Sequence, residues 1–213
     1  MPHKTDQQAT AGRPLGYGLA TWGVLAWGTL AFGLIGIWFR VWELGQQPVF
    51  GDEMHALKSA TGGNLTSILA EGGLPDVSIP LALWNYHLLQ DWGLSEWGMR
   101  FPMLLSWILF LLLLPRIIHR QLGTGCAFTA MGLAALSPLL IQFSRFARPY
   151  MPLVLLSLLA LDCWLRHLNG SRYAWGWAIL VTISCSALTP VSIPALGALA
   201  GAAVGLRYFE NRS

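Results

Sequence analysis

Apolar residues in this chain collect in long runs, and polar residues collect between them. A helix needs about 20 apolar residues to cross the hydrocarbon core of a bilayer. Six segments reach or approach that length, at 17–41, 97–118, 124–144, 149–168, 173–189 and 191–209. Hydrocarbon offers no partner to a backbone N–H or C=O, so each span must satisfy its own hydrogen bonds as a helix. The pattern therefore predicts an all-α, polytopic membrane bundle of about six transmembrane helices. The last two spans are short, and "TPVSIP" interrupts them.

One connection breaks the pattern. Residues 42–96 form the single long hydrophilic link, and they hold Glu43, Asp52, Glu53, Glu71, Asp76, Asp91 and Glu96, seven of the ten acids. Within "SATGGNLTSILAEGGLP", Asn64 is placed to cap a short helix and the glycine pairs punctuate it. The segment "SIPLALWNYHLLQDWG" is too short to span and rich in Leu and Trp, which predicts an interfacial helix at headgroup level. This loop is expected to lie on the membrane surface through short helices. The domain division that follows is a tail at 1–16, a membrane module at 17–209 with its first outer loop at 42–96, and a tail at 210–213.

Composition agrees with the pattern. The chain is 54% hydrophobic and only 11% charged, with 11 Trp, where soluble domains carry about a quarter charged residues. The net charge of +3 is thus no sign of a nucleic-acid partner. With cytoplasmic termini, the inside set would be Lys4, Arg13, Arg116, Arg120, Arg166, Arg172, Arg207 and Arg212, against Arg40, Lys58, Arg100, Arg145 and Arg148 outside. That bias predicts a multi-pass inner or plasma membrane protein with cytoplasmic termini and a periplasmic or extracellular active face. The first apolar run, Tyr17 to Val41, is far longer than the ~7–15 residues of a signal-peptide core, so it reads as an uncleaved span. Cys126, Cys163 and Cys185 match no disulfide or zinc spacing and read as packing residues.

Four ionisable groups stand together in "VFGDEMHALKSA", residues 49–60: Asp52, Glu53, His55 and Lys58. The plain reading is a loop start in which Asp52 caps a helix. The chemical reading is a carboxylate at the membrane boundary that acts as a general base, with His55 and Lys58 supplying positive charge from one helical face. "LSPLLIQFSRFARPYMPL" brings Arg145 and Arg148 to the break at Pro149. Snorkelling anchors are the plain reading; the chemical one is a guanidinium pair for a lipid-linked phosphate. Arg100 opens the second span on the same side. His87 reads as a headgroup-level contact, and Asp162 as the ion-pair partner of Arg166 four residues on. Asp52, Glu53, His55 and His87 could converge on a divalent ion, but no ligand spacing demands one, so the cofactor is left unknown.

The acid pair after span one, the Pro-containing interfacial segment, "LSEWGMRFP" and "LSPLLIQFSRFARPYMPLVLLSLLAL" stand in an order and spacing that resembles the GT-C membrane glycosyltransferases. The nearest branch is dolichyl-phosphate-mannose protein mannosyltransferase-like, with aminoarabinose transferase related to it. The resemblance covers about residues 20 to 205. It implies transfer of a sugar from a polyprenyl-phosphate donor to an acceptor on the outer face. Asp52 would activate the acceptor with Glu53 beside it, and His55, Arg100, Arg145 and Arg148 would contact the substrate. Relatives read His-Pro-Pro before the interfacial helix, whereas this chain reads "VSIPL" with Pro80 alone. Relatives also have more spans, so the chain is read as the N-terminal module of such an enzyme or a minimal form of it. The rival readings are a non-catalytic six-span scaffold or partner subunit and, last, a small transporter. A transporter would call for polar groups at mid-membrane depth, where this chain has mostly Leu, Ala, Gly and Trp.

Overall fold

In the computed structural model the described residues are 15–49, 51–61, 64–71, 78–171, 173–189, 197 and 201; the side chains of 15–22, 52, 55, 56, 59 and 71 lie outside the description. Every regular element among them is helical. The order is α1 Leu15–Val41, α2 Asp52–Thr61, α3 Leu65–Glu71, α4 Ile79–His87, α5 Glu96–Leu122, α6 Thr124–Leu136, α7 Pro138–Arg145, α8 Tyr150–Leu168 and α9 Ala174–Leu188. A single π-helical turn, Leu88–Trp92, extends α4.

Among the described residues three helices are long and apolar enough to cross a membrane: α1, α5 and α8. The expected third span, 124–144, is the broken pair α6–α7, bent by 54° at Ser137, and counts as a fourth span if taken as one. Of the six spans that the sequence pattern predicts, the described residues thus show three or four. The fifth, α9, has 15 residues, a rise of about 22 Å against a core of about 30 Å. The expected span at 191–209 falls almost wholly outside the described residues. The chain is a multi-pass membrane protein.

The core forms where α5 runs between α6 and α8. Met103, Trp107, Phe110, Leu114 and Ile117 of α5 close on Met151, Leu155 and Leu158 of α8, on Ala134 of α6 and on Leu81 of α4. Outward faces remain apolar: Trp27, Leu34, Leu109, Leu133 and Ile183 are exposed, as lipid-facing positions are expected to be. Small residues permit close approach. A Cβ on Gly36 would stand 2.5 Å from the Trp107 ring.

Prolines shape the interior in a consistent way. Pro102, inside α5, has no N–H for the carbonyl four residues back, Gly98. The indole Nε1 of Trp84 in α4 donates to that Gly98 carbonyl at 2.9 Å, which ties the short surface helix to the start of α5. The predicted surface helices are present in the α1–α5 connection as α2, α3 and α4. Asn64 caps α3, its Oδ1 accepting from the Ser67 N–H at 3.0 Å.

Candidate functional site

The end of the bundle that carries the candidate residues is built by three chain turns: the last turn of α1, the first turn of α5 and the corner between α7 and α8. Arg100, in the first turns of α5, is 1% exposed. Its Nε donates to Glu53 Oε1 at 3.1 Å and its Nη2 to Glu53 Oε2 at 2.9 Å. Nη1 donates to the carbonyls of Leu44 at 2.6 Å and Gln47 at 3.0 Å, and Nη2 also to that of Pro48 at 3.4 Å. A guanidinium has five N–H donors, and these contacts engage all five within the protein. The turn after α1 is wrapped around a cation, and Glu43 there adopts a positive φ of 52°.

Glu53 completes the arrangement. It is 1% exposed, and its Oε1 also accepts the backbone N–H of Ala147 at 2.6 Å. One carboxylate thus joins α2, α5 and the α7–α8 corner. The sequence reading placed Glu53 beside the reacting groups and Arg100 against substrate. In the structure both are turned toward each other and toward backbone, and Arg100 keeps no donor for an incoming phosphate. Asp52 begins α2 at the neighbouring position, and His55 lies one turn on; the side chains of both lie outside the described residues. Lys58 is exposed.

The corner itself bears the two arginines. α7 starts with Ser137 accepting from the Leu140 N–H and with Pro138 in its first turn, and it ends at Arg145. Phe146 is extended, the Arg148 N–H donates to the Phe146 carbonyl at 2.8 Å, and α8 begins after Pro149. Ala147, between the two arginines, is the residue held by Glu53. Arg148 is 8% exposed. Arg145 is half-buried, and its Nη1 donates to the carbonyl of Phe39 in α1 at 3.0 Å. With Trp38, Phe39 and Trp42 it lines a pocket of about 240 Å³. The Trp38 and Trp42 rings are 4.8 Å apart. Among the described residues the Phe39 carbonyl is the partner of that guanidinium. Further along α1, toward the opposite end, a larger apolar groove of about 420 Å³ runs between α1 and α5 past Leu30, Gly33, Ile37, Trp107 and Leu111.

Two features were not singled out from the sequence. The aromatic wall of Trp38, Phe39 and Trp42 has the spacing of one helical face, a signal that an all-round apolar helix conceals. Arg40 was counted only as an outer charge; it is fully buried, with its guanidinium 3.9 Å from the Trp107 ring centroid. The remaining sequence candidates lie elsewhere. His87 pairs with Asp91 at 3.2 Å on an exposed surface. Asp162 receives Arg166 at 2.8 Å, as its spacing suggests, and also Arg120 from α5. Glu53 and His87, two of the four residues that could have converged on a metal, are thus engaged with different partners, and among the described residues no three His, Cys, Asp or Glu gather as a metal site would require. Of the cysteines Cys185 is buried, Cys163 half-buried and Cys126 exposed, and none is paired.

Comparison with known proteins gives one finding. The family model described as dolichyl-phosphate-mannose-protein mannosyltransferase matches residues 77–208, more than half of the chain. The matched stretch contains Arg100, Arg145 and Arg148 and begins after the Asp52–Glu53 pair. No curated protein and no solved structure gives a match. The match runs from the interfacial helix through the cation-bearing corner, and by it the chain belongs to the dolichyl-phosphate-mannose-protein mannosyltransferase family.

Proposed function

We propose that the chain transfers a sugar from a polyprenyl-phosphate carrier to an acceptor at the extracytoplasmic face, with Asp52 as general base and the α7–α8 corner as the phosphate site. The observation that carries this reading is the bond from the Ala147 N–H to Glu53. It fixes the segment bearing the acid pair against the corner bearing the arginine pair. The two kinds of group that such a transfer needs therefore share one end of the bundle.

The chemistry follows from the residues. The carrier phosphate meets Arg145 beside Trp38 and Trp42, with Arg148 adding charge from the same corner. The isoprenoid tail lies against the apolar faces of α1 and α5. Asp52 takes the proton of the acceptor hydroxyl or amine as its oxygen or nitrogen attacks the anomeric carbon. The bond from that carbon to the phosphate oxygen breaks, and the phosphate leaves with the electron pair, its charge stabilised by guanidinium. Glu53 and Arg100 contact no substrate. They hold the base-bearing helix in place, which is the supporting role a reaction geometry needs.

Asp52→Asn tests the base. Transfer from a polyprenyl-phosphate-linked sugar by the purified protein is expected to fall by at least about a hundredfold, the usual worth of a general base, with unchanged expression and melting temperature. An Asp52→Asn protein of full activity removes Asp52 from the mechanism. A chain that serves only as a scaffold would show neither transfer nor polyprenyl-phosphate binding in either form.

A further inference from the structure

Arg40 presents a physical problem that its surroundings meet in part: Nη1 and Nη2 find acceptors, while the buried Nε has none among the described residues. A guanidinium taken wholly out of water is strongly unfavourable unless its charge and its N–H groups are met. Arg40 is fully buried in the last turn of α1, and among the described residues no carboxylate pairs with it. Its charge lies over the Trp107 ring, at 3.9 Å, an attraction that strengthens with desolvation. That stack exists because Gly36 brings no Cβ into the space of the ring. Its Nη1 donates to the Gly36 carbonyl at 3.0 Å and the Ala135 carbonyl at 2.9 Å, and its Nη2 to the Ala134 carbonyl at 3.4 Å.

Those last two acceptors are special. Ala134 and Ala135 lie in the final turn of α6, where carbonyls have no helical donor and the helix dipole is negative. Ala134 is four residues before Pro138, which has no N–H to give it. The 54° bend between α6 and α7 opens at this point. Arg40 supplies from α1 the donors that the break withholds. One residue earlier, the Phe39 carbonyl receives Arg145 from the far end of α7. The last turn of α1 therefore holds the chain on both sides of the break, at the last turn of α6 and at the last residue of α7.

We infer that Arg40 is a positioning residue: it sets the angle of α7 at the α6–α7 break and through it places Arg145 over the pocket of Trp38, Phe39 and Trp42. The part concerning a ligand rests on the proposal that Arg145 holds the carrier phosphate. The part concerning α7 stands alone.

The test uses two readouts on the full chain in nanodiscs, with the three native cysteines replaced. Spin labels at the exposed positions Leu34 in α1 and Gln142 in α7 report the α1–α7 distance, and a polyprenyl phosphate probe reports binding. Arg40→Met is expected to shift or broaden the distance and to weaken probe binding about tenfold, the equivalent of one charge-assisted hydrogen bond. Arg145→Ala is expected to weaken binding similarly and leave the Arg40 contacts intact. The double variant is expected to bind no worse than Arg145→Ala, because one residue acts through the other. Arg40→Lys, which keeps the charge but not the planar fork, is expected to fall between Met and wild type in both readouts, and it takes the place of Arg40→Met should that variant not fold. An unchanged distance overturns the inference, as do losses that multiply in the double variant. Should Arg145→Ala bind the probe undiminished, the phosphate site is lost while the distance still decides the role of Arg40.

Discussion

The two ends of the bundle each set a carboxylate among arginines, and they use it differently. At one end Glu53 and Arg100 are each 1% exposed, and the pair also gathers four backbone groups from two separate chain turns. At the other, Asp162 is nearly buried between Arg120 and Arg166, but those arginines remain 44% and 54% exposed. Arg100 and Arg120 are both on α5, about 30 Å apart along its axis. The lesson lies in what surrounds the charge. Arginines that keep one side in water act as snorkelling ties, Arg120 from α5 to α8 and Arg166 within α8. An arginine with every donor engaged inside the protein becomes the centre on which loops are folded.

Removing Glu53 breaks the comparison most severely. Glu53→Ala strands the Arg100 guanidinium in the interior and frees the Ala147 N–H. Loss of one partner from a buried pair is destabilising by about 3–5 kcal/mol. Thermal melting in detergent is expected to show a transition below that of a Trp84→Phe or an Arg166→Ala protein, with α2 exposed to protease first. A Glu53→Ala protein that melts within a degree or two of wild type would mean that the pair does not hold the site together.

A smaller effect is expected where backbone, freed by proline, is met by a side chain. Trp84→Phe keeps the ring but removes the donor to Gly98. A buried acceptor left unmet costs about 1–3 kcal/mol, and this one is part-buried, so the lower end is expected. Pro102→Ala returns an N–H to that carbonyl, so the double variant is expected to recover much of the loss, and melting temperatures of the four proteins measure the coupling. Simple additivity would show that the indole bond carries no weight.

These cases also explain which features could be read in the sequence. The ranges of α1, α5 and α8 follow from apolar length, within a few residues of 17–41, 97–118 and 149–168. The Asn64 cap and the Asp162–Arg166 pair follow from local spacing. The break inside 124–144 had its mark in Pro138, which was not read as one. Arg40, Trp84 and Arg100 were opaque for a common reason. Their partners are mostly backbone carbonyls, which every residue has, brought close by folding across 14 to 95 positions. A carbonyl acceptor leaves no signature in side-chain type. Glu53 was visible as an acid but not as a buried one, because burial was decided by Arg100 47 residues away.

The smallest expected effect lies at the far end and sharpens the contrast from the other side. Arg166→Ala removes one of two cations from Asp162 but leaves Arg120 in place. The lost side chain is half exposed, and pairs of that kind contribute about 0.2–1 kcal/mol, reduced further by salt. The melting temperature is expected to drop slightly at low ionic strength and to approach the wild-type value as salt is added. Polyprenyl-phosphate binding is expected to stay the same, since the carboxylate and both of its arginines stand away from the α7–α8 corner. A loss as large as that of Glu53→Ala would show that exposure of the arginines is a poor guide to their weight, and the distinction between the two ends would fail.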